Sequence, residues 1–134
     1  MNISRYNLKR FNKIPIILPS GNYTAVLETS RNTVVRDNQD ILQLIWTITS
    51  GKHSDEFFHS YFNMSNHDSL IVFYKMLENM GLTPEKIKNT SEIYGNECHL
   101  IIERFNHKIY GPSNRVEKYL PVLNKIKDEM MAYA

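Results

Sequence analysis

The sequence predicts a mainly β fold of one domain, in which three strands precede a helix and two strands follow it. Three observations support this prediction. The chain has 134 residues, the usual size of a single domain. Several short segments alternate apolar and polar residues, which is typical of strands, and one segment has apolar residues at helical spacing. Hydrophobic residues make up 42% of the chain, enough for a packed interior.

The first two strands follow a turn formed by Pro19, Ser20 and Gly21. Residues 22–30 are rich in β-branched and aromatic residues, and the polar stretch 31–40 is predicted to be a hairpin loop. Residues 41–49 alternate at period two, which places one side of the strand inside. The predicted inward set is Leu42, Leu44, Trp46 and Ile48, and the opposite set, Gln43, Ile45 and Thr47, is predicted to face solvent or a ligand.

The third strand is predicted over residues 55–64, with aromatic residues on both of its faces. If Phe58, Phe62 and Met64 pack against Trp46, then Phe57 and Tyr61 stand on an outer face, where exposed rings usually mark a contact surface. A helix follows, capped by the polar residues 66–68 and ended by Gly81. Its predicted apolar positions are Leu70, Phe73, Tyr74, Leu77 and Met80. Thr83 and Pro84 start a second, short helical turn.

The last part of the chain is predicted to form a second hairpin and a C-terminal helix. Residues 98–105 alternate in the strand pattern, residues 108–110 resume extended chain, and Gly111 and Pro112 interrupt it before a short last strand over 114–119. Three regions result: a basic N-terminal arm (1–18), a β domain (19–120) and a C-terminal helix (121–134). The apolar residues of that helix, Met130, Met131 and Tyr133, either cover the β domain or meet a second subunit.

No catalytic site or cofactor is predicted. Cys98 is the only cysteine. A single cysteine excludes an internal disulfide and fits a reducing cytoplasm. Cys98 itself is predicted to lie in the core. No glycine-rich phosphate loop and no nucleophile-elbow pattern occurs. His53, Asp55 and His59 form the best grouped polar set, but their spacing matches no compact metal motif. A metal-dependent nuclease using these residues is the third-ranked hypothesis.

Basic and aromatic residues in the loops favour a binding function over catalysis. The net charge is only +2, so the positions of the cations matter more than their total. Cations along a phosphate backbone, interleaved with rings that stack on bases, are what single-strand binding requires. The predicted nucleic-acid-binding residues are Arg31, Arg36, Lys52, Phe57, Tyr61, Arg104, Lys108, Tyr110 and Arg115. The alternative for each cation is an ordinary solvated surface.

The N-terminal arm carries Arg5, Lys9, Arg10 and Lys13 and no acidic residue over its first 13 positions. Two interpretations stay open for this arm. It is either a loosely docked terminus with incidental charge or a nucleic-acid contact.

From about residue 18 to 122 the chain resembles the phage-encoded family catalogued as domain of unknown function six-six-nine. The matching features are Pro-Ser-Gly-Asn-Tyr-Thr-Ala-Val at 19–26, Leu-x-Leu-x-Trp-x-Ile at 42–48 ending at Gly51, Phe57-Phe58 running to Phe62-Asn63-Met64, and Gly81-Leu82. The resemblance implies a single-stranded-DNA-binding or replication and recombination accessory protein with an oligonucleotide-binding β-barrel. Such a barrel has five strands and a helix between the third and fourth, as the residues independently predict, and binds ligand on its second and third strands and flanking loops.

The leading hypothesis is therefore a cytoplasmic, non-catalytic single-stranded-DNA-binding protein of phage or mobile-element replication or recombination. It has weak sequence preference, no membrane association, and a replication or recombination protein as an expected further partner. The alternative is a protein-interaction module that uses the same fold to inhibit or recruit a host or phage protein. The nearly balanced charge favours this alternative.

Overall fold

A computed structural model describes residues 16–34 and 39–122 of the chain. Its main elements are β1 (Gly21–Val34), β2 (Asp40–Ile48), β3 (Phe57–Asn63), α1 (His67–Asn79), β4 (Glu97–His107) and β5 (Gly111–Leu120). Two short 3-10 helices, Pro84–Lys86 and Thr90–Ile93, connect α1 to β4. The predicted mainly β fold with five strands is confirmed, and α1 lies between β3 and β4. The predicted C-terminal helix and most of the basic arm lie outside the described residues.

The five strands form one antiparallel sheet in the order β3-β2-β1-β4-β5. β1 is the central strand and pairs with β2 through Ala25–Val34 and with β4 through Gly21–Val26. The β1–β2 register shifts between Leu27 and Thr29, and such a bulge bends a strand and increases its twist.

The core lies on one side of this sheet, between the strands and α1. The predicted inward set of β2 is confirmed, since all four residues are buried and Trp46 is fully enclosed. Phe58 and Phe62 of β3 and Cys98 of β4 are also buried, as predicted. The opposite face of β2 differs from its prediction, because Ile45 and Thr47 are buried as well. Period two correctly separates the two faces but does not determine which of them is covered.

α1 begins after Asn66, whose side chain accepts a hydrogen bond from the backbone N–H of Ser69 at 3.0 Å. This is the predicted cap. Phe73, Met76 and Leu77 are the buried residues of the helix. Tyr74, predicted to be apolar core, is instead 49% exposed, because it lies one position beyond the buried stripe. Gly81 follows the helix at φ 84°, a conformation that glycine adopts without steric cost.

The late hairpin differs from its prediction in one respect. β4 extends to His107, residues 108–110 form the turn, and Gly111 and Pro112 already belong to β5. Glycine and proline usually interrupt strands, but β5 is an edge strand, where proline does not remove a bond from the ladder. Gly111 has φ 74°, which suits the tight return into β5.

Side chains connect β3 to β5, since the described residues contain no backbone ladder between these two strands. The rings of Phe62 and Tyr119 lie 5.5 Å apart between centroids. Ser60 is buried and accepts a hydrogen bond from Trp46 Nε1 at 2.9 Å. The Tyr119 hydroxyl is hydrogen-bonded to the same serine, and burial raises the pKa of this phenol far above its ordinary value. The Trp46–Ser60–Tyr119 triad therefore lies at one end of the gap between the edge strands.

The other end of the gap is occupied by the chain segment that precedes β1. Leu18 is fully buried in the core, although it is predicted to end the N-terminal arm. Its backbone N–H donates to Asn114 Oδ1 at 2.7 Å, and its carbonyl accepts from Asn114 Nδ2 at 2.8 Å. The side chain of Asn114 thus satisfies the backbone of Leu18 in the way that a neighbouring strand would. This anchor places Ile16 and Ile17 beside β3 and β5.

Candidate functional site

A row of three side chains crosses the outer face of β1, β2 and β3. Arg31 lies opposite Gln43, and Gln43 lies opposite Tyr61. Arg31 belongs to β1 and not to a loop, so its predicted location was wrong. The strand continues through this polar stretch because one face of an antiparallel strand can be solvated without loss of pairing. As a result, Arg31 and Tyr61 lie on the same surface, with Gln43 between them.

Hydrogen bonds fix the position of the side chains in this row. The Gln43 amide nitrogen lies 2.9 Å from His59 Nδ1 and donates to the Tyr61 hydroxyl at 3.2 Å. Burial, and next the charge of Arg31, lower the pKa of the His59 imidazole. Nδ1 accepts from the amide, so the proton of the neutral ring lies on Nε2. That Nε2 atom is buried and has no hydrogen-bond partner within the described ranges.

A cleft of about 630 Å³ runs beside β3, towards the β4–β5 hairpin. We call it the tyrosine cleft because Tyr61 and Tyr110 both line it. Its full lining is Ile16, Ile17, Phe58, His59, Tyr61, Tyr110, Pro112, Ser113 and Asn114. A second cleft of about 330 Å³ adjoins it and extends between β3 and β5 as far as Val72 of α1 and Tyr119. The two clefts form a continuous depression along the edge of β3, since they share Phe58, His59, Tyr61 and Asn114.

Large apolar side chains are exposed around the tyrosine cleft. Tyr61 is 60% exposed, and Tyr110 and Ile109 at the hairpin turn are 78% and 80% exposed. Ile16 and Ile17 are also exposed, on the wall formed by the segment before β1. A cluster of exposed apolar side chains around one depression is typical of a binding site.

The predicted cations differ in location and exposure. Arg104 and Lys108 are exposed on and beside the hairpin, and Lys52 is exposed in the turn between β2 and β3. Arg31 pairs with Gln43 near the start of β2, whereas Lys52 follows the end of β2. The two cations therefore lie towards opposite ends of the sheet. Arg36 lies outside the described residues.

Arg115 is engaged with its own hairpin. Its Nε donates to Glu103 Oε2 at 2.7 Å, and its guanidinium lies 4.8 Å from the centroid of Phe105. Glu103 and Arg115 are directly opposite each other in the β4–β5 ladder, and opposite charges at such positions attract. Binding a phosphate through Arg115 would compete with this pair.

Phe57, a predicted stacking residue, is half-buried on the outer face of β3. Its ring lies 5.5 Å from that of His59. It therefore supports this face more than it projects from it, and Tyr61 is the more exposed ring of the predicted pair.

Ile16, Ile17 and His59 line the site without being predicted to do so, and Gln43 was predicted to face solvent or a ligand but was not among the predicted binding residues. For the two isoleucines a signal exists in the sequence, because the apolar run Ile14 to Leu18 directly follows a basic segment. For Gln43 and His59 the signal is the strand register, which pairing alone determines.

No metal site was found in the described part of the chain, where no three His, Cys, Asp or Glu side chains are grouped to hold an ion. His53, Asp55 and His59 are therefore not brought together as a metal-dependent nuclease would need. Within residues 16–34 and 39–122, no helix is long and apolar enough to cross a membrane.

No protein-family model matches the chain, and the comparison with curated proteins finds no match either. The resemblance to the phage-encoded family accordingly stays a prediction.

Proposed function

We propose that the protein binds single-stranded DNA along the depression beside β3, without catalysis and with weak sequence preference. The observation that carries the proposal is the pair of exposed tyrosines, Tyr61 in β3 and Tyr110 in the β4–β5 turn, which line one cleft from two sides. Stacking on aromatic rings is tolerant of sequence, because every base presents a π-face. A cleft with two such rings offers places for successive bases.

The charges around the cleft support the same proposal. Arg31 lies in the row that ends at Tyr61, and Lys108 directly precedes Ile109 and Tyr110 in the hairpin turn. Neither Arg104 nor Lys108 forms an ion pair with a described residue. Cations at the borders of an aromatic cleft are suited to the phosphates of a strand whose bases point inward.

The fold gives independent support. We infer that the sheet is a partly open barrel of the oligonucleotide-binding type, in which β3 and β5 approach each other through side chains. Five strands with a helix between the third and fourth are features of that fold. Its ligands bind on strands 2 and 3 and at the loops between strands 1 and 2 and between strands 4 and 5. Gln43, Tyr61 and Tyr110 occupy these positions. A role in phage or mobile-element replication or recombination rests on the family resemblance.

Fluorescence anisotropy with a labelled oligothymidine of about 15 nucleotides tests this function. We expect salt-sensitive binding, with log affinity falling by about 2 for each tenfold rise in salt if Arg31, Arg104 and Lys108 contact three phosphates. Replacing both Tyr61 and Tyr110 by alanine is expected to weaken binding at least about tenfold, because each stacked base contributes about 1–3 kcal/mol.

Tyr74→Ala is the matched control, since Tyr74 is a similarly exposed tyrosine on α1 that does not line the tyrosine cleft. It should bind like the wild type. Absence of salt-sensitive binding by the wild-type protein contradicts the proposal. An equal loss in the control variant contradicts the assignment of the cleft.

The second candidate function is binding of a protein partner, and one observation favours it. Two of the exposed side chains that line the tyrosine cleft, Ile16 and Ile17, are aliphatic. They offer apolar surface but no π-face for stacking, and burial of apolar surface drives protein association. A stoichiometric partner retained after nuclease treatment, together with no oligonucleotide binding, would select this function over the first.

A further inference from the structure

The β4–β5 turn presents its two most exposed apolar side chains from an ordered support. His107 Nδ1 lies 3.0 Å from the backbone nitrogen of Ile109 and 3.3 Å from that of Tyr110, and accepts a hydrogen bond from each. Asparagine and aspartate side chains make the same type of contact, accepting from the backbone two residues on. The imidazole of His107 thus closes the turn that carries Ile109 and Tyr110.

Ring contacts continue from His107 in both directions. Its ring lies 4.9 Å from that of Tyr110 and 6.4 Å from that of Phe105, between centroids. Phe105 in turn packs under the Arg115 guanidinium, which Glu103 holds from the opposite strand. The sequence of contacts Glu103–Arg115–Phe105–His107–Tyr110 therefore runs along one face of the hairpin to its exposed end.

This arrangement does not contribute to the hydrophobic core. Tyr110 is 78% exposed, so its ring gains little from burial, yet both its backbone and its ring are held by His107. Ordering a side chain before a ligand arrives removes part of the entropic cost of binding. An ordered and exposed ring at the border of a cleft is thus suited to receive a ligand.

We propose that His107 is a positioning residue that preorganises Tyr110 as the second stacking wall of the tyrosine cleft. This inference rests on the proposed function for its ligand. The contribution of His107 is the acceptor at Nδ1, which fixes the turn, together with the ring face against Tyr110. It does not require His107 itself to contact DNA.

Two substitutions separate the acceptor from the ring. His107→Asn keeps an acceptor that can bond the backbone two residues on, while His107→Phe keeps a ring and loses the acceptor. We expect His107→Phe to bind oligothymidine about three- to tenfold more weakly than the wild type. We expect His107→Asn to bind with an affinity close to that of the wild type. Neither substitution should lower the melting temperature appreciably, because the turn is exposed.

Amide hydrogen exchange of Ile109 and Tyr110, followed by NMR, gives a second measurement that needs no DNA. Exchange at both amides should be faster in His107→Phe than in the wild type and close to wild type in His107→Asn. Unchanged exchange in His107→Phe overturns the positioning role, whether or not the protein binds DNA. If the wild type binds and His107→Phe binds equally well, the inference fails while the proposed function stands. If the wild type does not bind, the proposed function fails, and with it the role of His107 in DNA binding.

Discussion

The two ends of the gap between β3 and β5 are built differently. At the Tyr119 end, Trp46 and Phe62 pack around the buried Ser60, and the polar groups of the triad are paired with one another. At the Tyr110 end, the segment before β1 fills the gap only as far as Leu18, and large apolar side chains remain exposed. The first end is closely packed, whereas the second exposes the apolar side chains of the proposed binding site.

Neighbouring residues of β3 belong to both sets, because successive side chains of a strand point to opposite faces. Ser60 and Phe62 face the core, whereas His59 and Tyr61 face outward and line the tyrosine cleft. One strand therefore contributes to the core and to the candidate site at the same time. Substitutions one residue apart should separate the two roles.

The largest expected effect comes from Phe62→Ala compared with Tyr61→Ala. Phe62 is buried and contacts Phe73 and Tyr119, so its truncation should lower the free energy of unfolding by about 3–5 kcal/mol. Tyr61→Ala should change it by no more than about 0.5 kcal/mol, because that side chain is mainly exposed. Urea unfolding followed by the fluorescence of the single tryptophan measures both. Equal losses of stability in the two variants would show that β3 does not have distinct faces.

A smaller effect is expected from Ser60→Ala. This substitution leaves the buried Trp46 Nε1–H without its acceptor and removes a partner of the Tyr119 hydroxyl. The expected loss of stability is about 1–3 kcal/mol, the cost of an unsatisfied buried group. Ser54→Ala, in the exposed turn between β2 and β3, is the control and should be neutral. A neutral Ser60→Ala would mean that ring packing alone stabilises this end of the gap.

The well-packed end of the molecule could be predicted further from the sequence than the open end. The alternation of β2 and β3 identifies Trp46, Phe58 and Phe62 as core, because a buried face requires apolar residues at every second position. The cap at Asn66 is equally visible, since capping depends on local hydrogen bonds. The pairing of Ser60 with Trp46 is not visible in the sequence, because nothing local distinguishes this serine from an exposed one.

The candidate site could be predicted only in part. The sequence predicts Tyr61 and Tyr110 as binding residues, but it does not show that they line one cleft. The role of Leu18 depends on Asn114, which is far away in the sequence. The position of Pro112 within β5 depends on that strand being at an edge. Each of these features depends on the tertiary structure, which the local sequence pattern does not reveal.

The smallest expected effect concerns the pH dependence that His59 gives to the open end. Burial and the charge of Arg31 lower the pKa of its imidazole below the ordinary 6.5. The unfolded chain therefore takes up a proton before the folded chain does, and the free energy of unfolding falls as the pH falls. The contribution of His59 is complete above pH 6.5 and is lost as the pH decreases through the lower folded pKa.

Urea unfolding of the wild type and His59→Gln at about pH 7.5 and about pH 5 measures this contribution. The wild type should lose more stability on acidification than the variant, whose glutamine does not titrate. His67→Gln is the matched control, because His67 is exposed at the start of α1, and it should follow the wild type. If His59→Gln and the wild type lose stability in parallel, then His59 is not held in its neutral form at the cleft. The buried Nε2–H of His59 would then not contribute to the pH dependence of stability.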